Sequence, residues 1–268
     1  MLFIFPVSYI KVLLTVTIVQ LIKKSPAIVL RSVDFRESSK IVTLFTPDEG
    51  KVSVMVRGAK SPKSKYAGLM QTGNILDVIY FHKTSRSVQS LSDAAYRQKT
   101  FNIQTDYDKL AVSMGLLEMT DQLVHSHENS NEMFQFVESV LNWLHNAEGQ
   151  VRNLFPYIQM RLAELMGVGL QCEEKIERNS GNFVYMNINT GSFSDEPADE
   201  FYFRLTSPQT EYVKAVFGNK AAILLKKNLN TSDLKQLICH MDVYLKHHIE
   251  GLKDRKSDVI FEQLSMTT

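Results

Sequence analysis

The amino-acid sequence predicts an α+β protein in two parts. An N-terminal five-stranded β-barrel is followed by a mainly α-helical domain with a small irregular β-hairpin insertion. Three observations carry that expectation. The chain's 268 residues suffice for about two domains at ~150 residues each. Its hydropathy pattern changes from short runs of β-formers before residue 94 to a helical period after Asp106. Charge changes with it: residues 1–100 hold 15 Lys and Arg against 6 Asp and Glu, a balance of +9, whereas residues 101–268 hold 15 against 23, a balance of −8. The net charge of +1 hides this split, and a basic first part points to a polyanionic partner. Hydrophobic content of 44%, charged content of 22% and a mean hydropathy of −0.13 exclude wholesale disorder. Cys172 and Cys239 alone exclude a disulfide scaffold and a four-cysteine zinc site, and suit a reducing cytosol.

Strands are expected at Ala27–Val33, Lys40–Phe45, Lys51–Arg57, Asn74–Phe81 and Val88–Asp93. Thr46-Pro47-Asp48-Glu49-Gly50 supplies a fixed φ, a turn-favouring Asp and a glycine able to take positive φ, so it joins the second and third strands as a tight hairpin. In the third strand Val52, Val54 and Val56 face one way and Lys51, Ser53, Met55 and Arg57 the other, which puts the valines in the barrel core. The 16 residues from Gly58 to Gly73 leave room for a short helix near Tyr66–Gln71. Five strands with an insertion after the third is the layout of an OB-fold.

Beyond Asp106, Tyr107–Val124 sets Leu110, Met114, Leu117 and Val124 on one helical stripe. Asn131 is placed to cap a second helix bearing Phe134, Val137, Val140, Leu141 and Leu144. A third runs from about Gln150 to Met166, with Pro156 near its first turn and Gly167 and Gly169 at its end. Residues 170–205 are irregular, with strand signals at Phe183–Ile188 and Phe201–Leu205. Pro208 opens a helix toward Phe217, and Ser232–His248 forms a long final one before a polar tail.

The strongest chemical signal is Arg57-Gly-Ala-Lys60-Ser-Pro-Lys63-Ser-Lys65-Tyr66. Four cations in nine residues, with serines between them, suit a flexible loop that tracks a phosphate backbone, and Tyr66 could stack on a base. Lys40 and Lys51 on neighbouring strands add to it. No catalytic or metal constellation accompanies this loop. His125 and His127, two apart, diverge on a helix, as do the adjacent His247 and His248, and His240 lies nearly two turns from His247, so surface or capping roles are expected. No nucleophile sits in a motif with a positioned base, and neither phosphate-loop motif occurs. Glu173, Glu174, Glu177, Asp195, Glu196, Asp199 and Glu200 lie in a polar, turn-rich stretch that fits a solvated surface. The expectation is a protein that is not an enzyme and uses no cofactor.

Ala27-Ile-Val-Leu-Arg31, Phe35-Arg-Glu-Ser-Ser-Lys-Ile-Val-Thr-Leu-Phe-Thr-Pro-Asp-Glu-Gly50, Val56-Arg-Gly-Ala-Lys60 and Pro62-Lys-Ser64 together resemble the RecO family of bacterial recombination mediators, in order and spacing. The match covers most of residues 23–94; the helices at 106–166 and Leu165-Met-Gly167 are similar more loosely. The resemblance implies an OB-fold DNA-binding domain at 21–96 and a helical domain at 97–268. It implies binding of single- and double-stranded DNA, annealing of complementary strands, and loading of the recombinase RecA, together with RecR, onto DNA covered by single-strand binding protein. It also implies a cytoplasmic, nucleoid-associated site of action and no small-molecule substrate. A departure concerns zinc: many relatives carry two C-x-x-C pairs where this chain reads Cys172-Glu-Glu-Lys175 with no cysteine near Gly191. Segment 170–205 is therefore expected to hold its shape by packing Leu170, Phe183, Tyr185 and Phe193, with no metal. The alternative to a DNA mediator is an adaptor whose basic loop docks acidic peptide tails.

Leu2–Ile22 is an apolar run of 21 residues interrupted by Lys11, long enough to span a bilayer, with Lys23 and Lys24 behind it. It lacks the features of a secretory signal. By the family register the initiator falls near Leu21, so residues 1–20 read either as upstream sequence or as a membrane anchor.

Overall fold

The computed structural model describes residues 22–172, 184–197, 199–218 and 229–258. The readings made for residues 1–20, for Glu173, Glu174, Glu177 and Phe183, and for the end of the polar tail lie outside the described residues. The chain divides into two compact units: one runs up to Thr100 and takes in Val124–Glu138, and the other comprises Phe101–Leu123 and the residues from Ser139 onward.

Each expected run of β-formers is a strand of the first unit: β1 (Ile22–Phe35), β2 (Ser39–Thr46), β3 (Gly50–Val56), β4 (Ile75–Phe81) and β5 (Val88–Gln98), with the short helix α1 (Tyr66–Leu69) between β3 and β4. They close into a barrel in the order β1-β2-β3-β5-β4, an OB-type arrangement. β1 starts five residues before Ala27, because Ile22–Ile28 pair with β4 while Ile28–Phe35 pair with β2. Nothing in Lys23-Lys24-Ser25-Pro26 reads as a strand by itself; pairing with β4 imposes it. Ile28 pairs with both neighbours, and a bulge at Leu30, between Val29 and Arg31, bends the strand just beyond it. The parallel β3–β5 pairing completes the closure. Val52, Val54 and Val56 point into the core with Val42, Leu44 and Val78, as alternation requires.

The segment Val124–Ser130 returns to the barrel and straps the β2–β3 turn. The Lys51 amide donates to the His125 carbonyl at 3.1 Å, that of His127 to the Glu49 carbonyl at 2.9 Å, and that of Ser130 to the Pro47 carbonyl at 2.8 Å. Phe45, outward on β2, is nonetheless fully buried, edge-on to Phe134 at 5.4 Å. Gly50 sits under the strap at φ +59°, where an added Cβ would lie 2.0 Å from the His125 carbonyl oxygen. Both the left-handed backbone and the contact exclude a side chain.

In the second unit α2 (Phe101–Gln104) precedes α3 (Tyr107–Leu123). The single stripe expected for α3 is not what forms: Leu110 and Met114 are half-buried, and Ala111, Val112, Leu116 and Met119 are fully covered. A helix apolar on most sides is packed on most sides. The stripe of α4 (Asn131–Asn146) is buried as expected; Asn131 is its first residue rather than its cap, and the preceding Ser130 carbonyl accepts the Phe134 amide at 2.8 Å. The third helix opens as a 3₁₀ turn, Val151–Leu154, and continues as α5 (Phe155–Leu165) with Pro156 in its first turn.

A small sheet follows, β6 (Gln171–Cys172), β7 (Val184–Asn187), β8 (Ser192–Ser194) and β9 (Tyr202–Leu205), in the order β6-β8-β7-β9. Phe193 is buried edge-on to Phe217 at 5.8 Å; Tyr185 is half-buried against Tyr202 at 5.2 Å, and Leu170 is half-buried. Helices α6 (Ser207–Phe217) and α7 (Thr231–His248) start at side-chain caps: Thr206 forms a capping box with Gln209, and the Asn230 side chain accepts the Asp233 amide at 2.8 Å. One face of α7 lies on the small sheet. His240 stacks on Phe203 with centroids 4.0 Å apart, the Tyr244 hydroxyl donates to the Val168 carbonyl at 2.9 Å, and His248 Nε2 meets the Ile188 carbonyl oxygen at 2.8 Å. The surface or capping role expected for the histidines is thus corrected at His240, which is 7% exposed because the sheet offers its ring an aromatic partner.

Two outcomes follow from these contacts. Gly50→Ala should lower stability by about 2 kcal/mol or more, seen as a fall in the urea midpoint. Burial pushes the His240 imidazole down from 6.5 to about 4, so the folded chain keeps it neutral while the unfolded chain protonates. Its contribution is therefore whole above the unfolded value and is lost as pH falls from about 6.5 toward 4, by up to about 3 kcal/mol. His240→Phe keeps the stack and should flatten that part of the stability–pH curve, measured by denaturant unfolding at successive pH values.

Candidate nucleic-acid interface

The basic loop leaves β3 at Arg57, whose side chain is exposed. It then folds as linked turns: the Ser61 amide donates to the Gly58 carbonyl at 3.2 Å, and the Ser64 amide to the Ser61 carbonyl at 2.9 Å. The loop is fastened at three points rather than tethered at its ends. Ala59 is buried in the barrel cluster, the Lys60 amide donates to the Ser38 carbonyl in the β1–β2 connection at 3.1 Å, and the Tyr66 hydroxyl donates to the Ser92 carbonyl at 3.2 Å. Fixed backbone at these points presents the cations at set positions on the barrel rim.

The four loop cations fall into two kinds. Arg57 and Lys63 are exposed and make no ion pair among the described residues. Lys60 Nζ lies 3.0 Å from Asp34 Oδ2 and also donates to the Arg36 carbonyl at 3.4 Å. Lys65 Nζ lies 2.6 Å from Asp93 Oδ1. Lys40 Nζ reaches the other Asp34 oxygen at 3.8 Å, so Asp34 is shared by two lysines. The hydrogen bond from Lys60 holds the Asp34 carboxyl below the usual carboxylate range, and that from Lys65 does the same to Asp93. Asp93 in turn raises the Lys65 ammonium.

Of the seven residues singled out from sequence, six gather at one end of the barrel: Lys40, Arg57, Lys60, Lys63, Lys65 and Tyr66. Lys51 does not join them. It stands at the opposite end of β3, roughly 20 Å from Arg57 by strand rise, where its amide serves the strap. Tyr66 has one ring face near the Lys65 ammonium, 5.0 Å from the centroid, and packs half-buried on the barrel core. Sequence reasoning missed Arg36 and Asp34. Arg36, in the left-handed region at φ 53°, is the tip of the β1–β2 connection that Lys60 touches. The strand register Asp34↔Lys40 would have placed both beside the loop.

Elsewhere the site chemistry is thin. Asp195, Glu196 and Glu200 are exposed, and Asp199 accepts from the Phe201 amide and the Asn189 side chain. Among the described residues no three His, Cys, Asp or Glu side chains converge as metal ligands. No described helix is long and apolar enough to cross a membrane.

A closed OB-type barrel with a cation-lined rim is thus followed by a helical unit carrying a small sheet. Residues 20–99 match the family described as Recombination protein O N terminal, and residues 104–258 match Recombination protein O C terminal. The DNA repair protein RecO of Salinibacter ruber is 34% identical over 179 residues, covering 66% of this chain and 68% of its own length. That of Chlorobium phaeobacteroides is 32% identical over 147 residues, 55% of this chain and 56% of its own length. That of Chloroherpeton thalassium is 27% identical over 257 residues, 91% of this chain and 99% of its own. The chain belongs to the RecO family.

A structural zinc of the kind the family resemblance implies does not fit the donors present. Cys172 is the one thiol between residues 170 and 205, and the turn around Gly191 offers none. A closed site needs four cysteine or histidine ligands. Elemental analysis of purified protein should find less than stoichiometric zinc, and a chelator should leave the melting temperature unchanged.

Proposed function

We propose that this protein is a DNA repair and recombination mediator that binds single- and double-stranded DNA along the basic rim of its barrel. It anneals complementary strands and, with RecR, helps load RecA onto DNA coated by single-strand binding protein. The observation that carries this reading is the set of uncompensated cations, Arg57 and Lys63 with Arg36 beside them, held by a fastened loop on an OB-type barrel. Its mechanism needs no bond to be made or broken. Cations that neutralise phosphates on two strands at once lower the repulsion between them, and the bases then pair. Rim contacts to phosphate fix position without reading sequence. A protein of this kind works in the cytoplasm, at the nucleoid. The domain at 21–96 supplies the DNA contacts, and the acidic helical part supplies surfaces for protein partners.

A second reading, an adaptor for acidic peptide tails, is favoured by one observation: Lys60 and Lys65 each already hold a carboxylate. Binding to oligothymidylate and to an acidic peptide of equal charge, measured side by side, separates the two.

For single-stranded DNA each phosphate contact contributes a slope of about −0.7 to log K against log salt. Arg57→Ala with Lys63→Ala should flatten the slope by roughly 1.4. Adding Lys60→Ala and Lys65→Ala should contribute less than a further 1.4, because those two lysines give up a carboxylate to take a phosphate. Affinity should fall alike for all sequences and annealing should fall with it, while circular dichroism stays unchanged. An unaltered slope in the folded double variant overturns the rim as the DNA path.

A further inference from the structure

Given DNA as the ligand of this rim, we infer that Asp34 and Asp93 are built-in competitors for phosphate: they occupy Lys60, Lys40 and Lys65 in the free protein and so hold its DNA affinity below what its cations allow. Three features support this. Each carboxylate belongs to a barrel strand, Asp34 to β1 and Asp93 to β5, and therefore stands at a fixed place beside the fastened loop. Each presents an anionic oxygen to a lysine at the distance a DNA phosphate would take, 3.0 Å from Lys60 Nζ and 2.6 Å from Lys65 Nζ. Both carboxylates are exposed, with side chains 62% and 52% accessible, so water and a phosphate oxygen reach the same ammonium groups without unfolding anything.

The consequence is electrostatic exchange. When Arg57 or Lys63 meets a phosphate, a cation condensed on the DNA leaves and nothing else is lost. When Lys60 or Lys65 does so, a carboxylate is stranded beside the phosphate, repels it and draws a cation back from solution. The net ion release at those lysines is correspondingly smaller. The rim thus has cations that bind at full strength, Arg57 and Lys63 among them, and a lysine set that engages against a resident anion. A mediator that must pass DNA on to other proteins gains from this, since a partly pre-neutralised rim lets go more readily than a bare one.

The experiment is oligothymidylate binding by fluorescence anisotropy across a salt series, with the full chain. Asp34→Asn and Asp93→Asn should each tighten binding roughly two- to fivefold at ~0.1 M salt. Each should also steepen the salt slope by up to about 0.7, with Asp34→Asn the larger because it frees two lysines. Asp48→Asn is the charge control: Asp48 is an exposed carboxylate in the β2–β3 turn, at the opposite end of β2 and β3 from Lys40 and Arg57. It changes net charge equally and should leave the slope unchanged. Asp34→Glu, which restores the competing anion, should return binding toward the parent. If Asp34→Asn and Asp93→Asn weaken binding, leave the slope unchanged, or merely match Asp48→Asn, the competitor role is overturned. Arg57→Ala with Lys63→Ala, run alongside, distinguishes this from failure of the DNA reading: if that double variant also binds with unaltered slope, the rim itself is not the DNA path.

Discussion

The first unit depends on one strand making two pairings. β1 gives its first half to β4 and its second half to β2; Ile28 pairs with both, and the bulge at Leu30 follows within the β2 pairing. Without that double pairing the five strands would form an open sheet with a bare edge on either side, the arrangement that invites strand addition from other chains. With it, the barrel has no free edge, and the valines of β3 gain a second wall of side chains to pack against. The same register fixes the rim. Because Asp34 pairs with Lys40, and Lys40 with Val56, the β1–β2 connection and the start of the basic loop are neighbours. The rim is therefore a product of strand register, and the loop sequence adds charge to a place the barrel has already built.

That placement decides which charges count. A balance of +9 over residues 1–100 says that the first part favours anions but not where. At ionic strengths near 0.15 M, charges separated by more than about 8 Å are largely screened, so the total matters less than the neighbours within hydrogen-bonding reach. Lys60 and Lys65, equal to Arg57 and Lys63 in any count, are chemically different from them because each has a carboxylate within 3.0 Å. Exposed pairs of this kind contribute little to stability. Their effect falls on binding, where a resident anion must be displaced.

The barrel was legible because strands that bury one face alternate, and Val52, Val54 and Val56 do so without interruption. Tight-turn residues marked the β2–β3 hairpin for the same reason: local chemistry dictates local backbone. What escaped sequence reading was imposed from a distance. The first residues of β1, Ile22–Pro26, carry no strand signal and are extended only because β4 lies beside them. The strap at Val124–Ser130 bonds to the β2–β3 turn through backbone groups, which every residue possesses, so no side-chain pattern announces it. Gly50 is its one trace in the sequence, and a glycine in a hairpin turn already has a local explanation. At the rim the cations were legible as a cluster, whereas the division of the loop cations into paired and unpaired was not, since Asp34 is 26 residues from Lys60 and Asp93 is 28 from Lys65.

The second unit meets a different constraint. A four-stranded sheet whose strands are two to four residues long buries too little to stand by itself. Small modules of that size are commonly held by metals or disulfides, and one cysteine can supply neither. Here α7 does the holding. His240, Tyr244 and His248 recur every fourth residue, so they form a single row along the helix, and each meets a different part of the segment: Phe203 on β9, the Val168 carbonyl before β6, and the Ile188 carbonyl after β7. Gly191 is required beneath this row, since a Cβ there would come within 2.4 Å of the Tyr244 hydroxyl oxygen. Three contacts spread along one rigid helix fix the orientation of the sheet as a metal fixes its ligands, and burial keeps the His240 imidazole neutral there. The row works while His240 is neutral and flat against Phe203. A metal-held sheet would also fail when a chelator competes for the ion, which leaves this row untouched, so the two ways of holding the same segment differ in what destroys them.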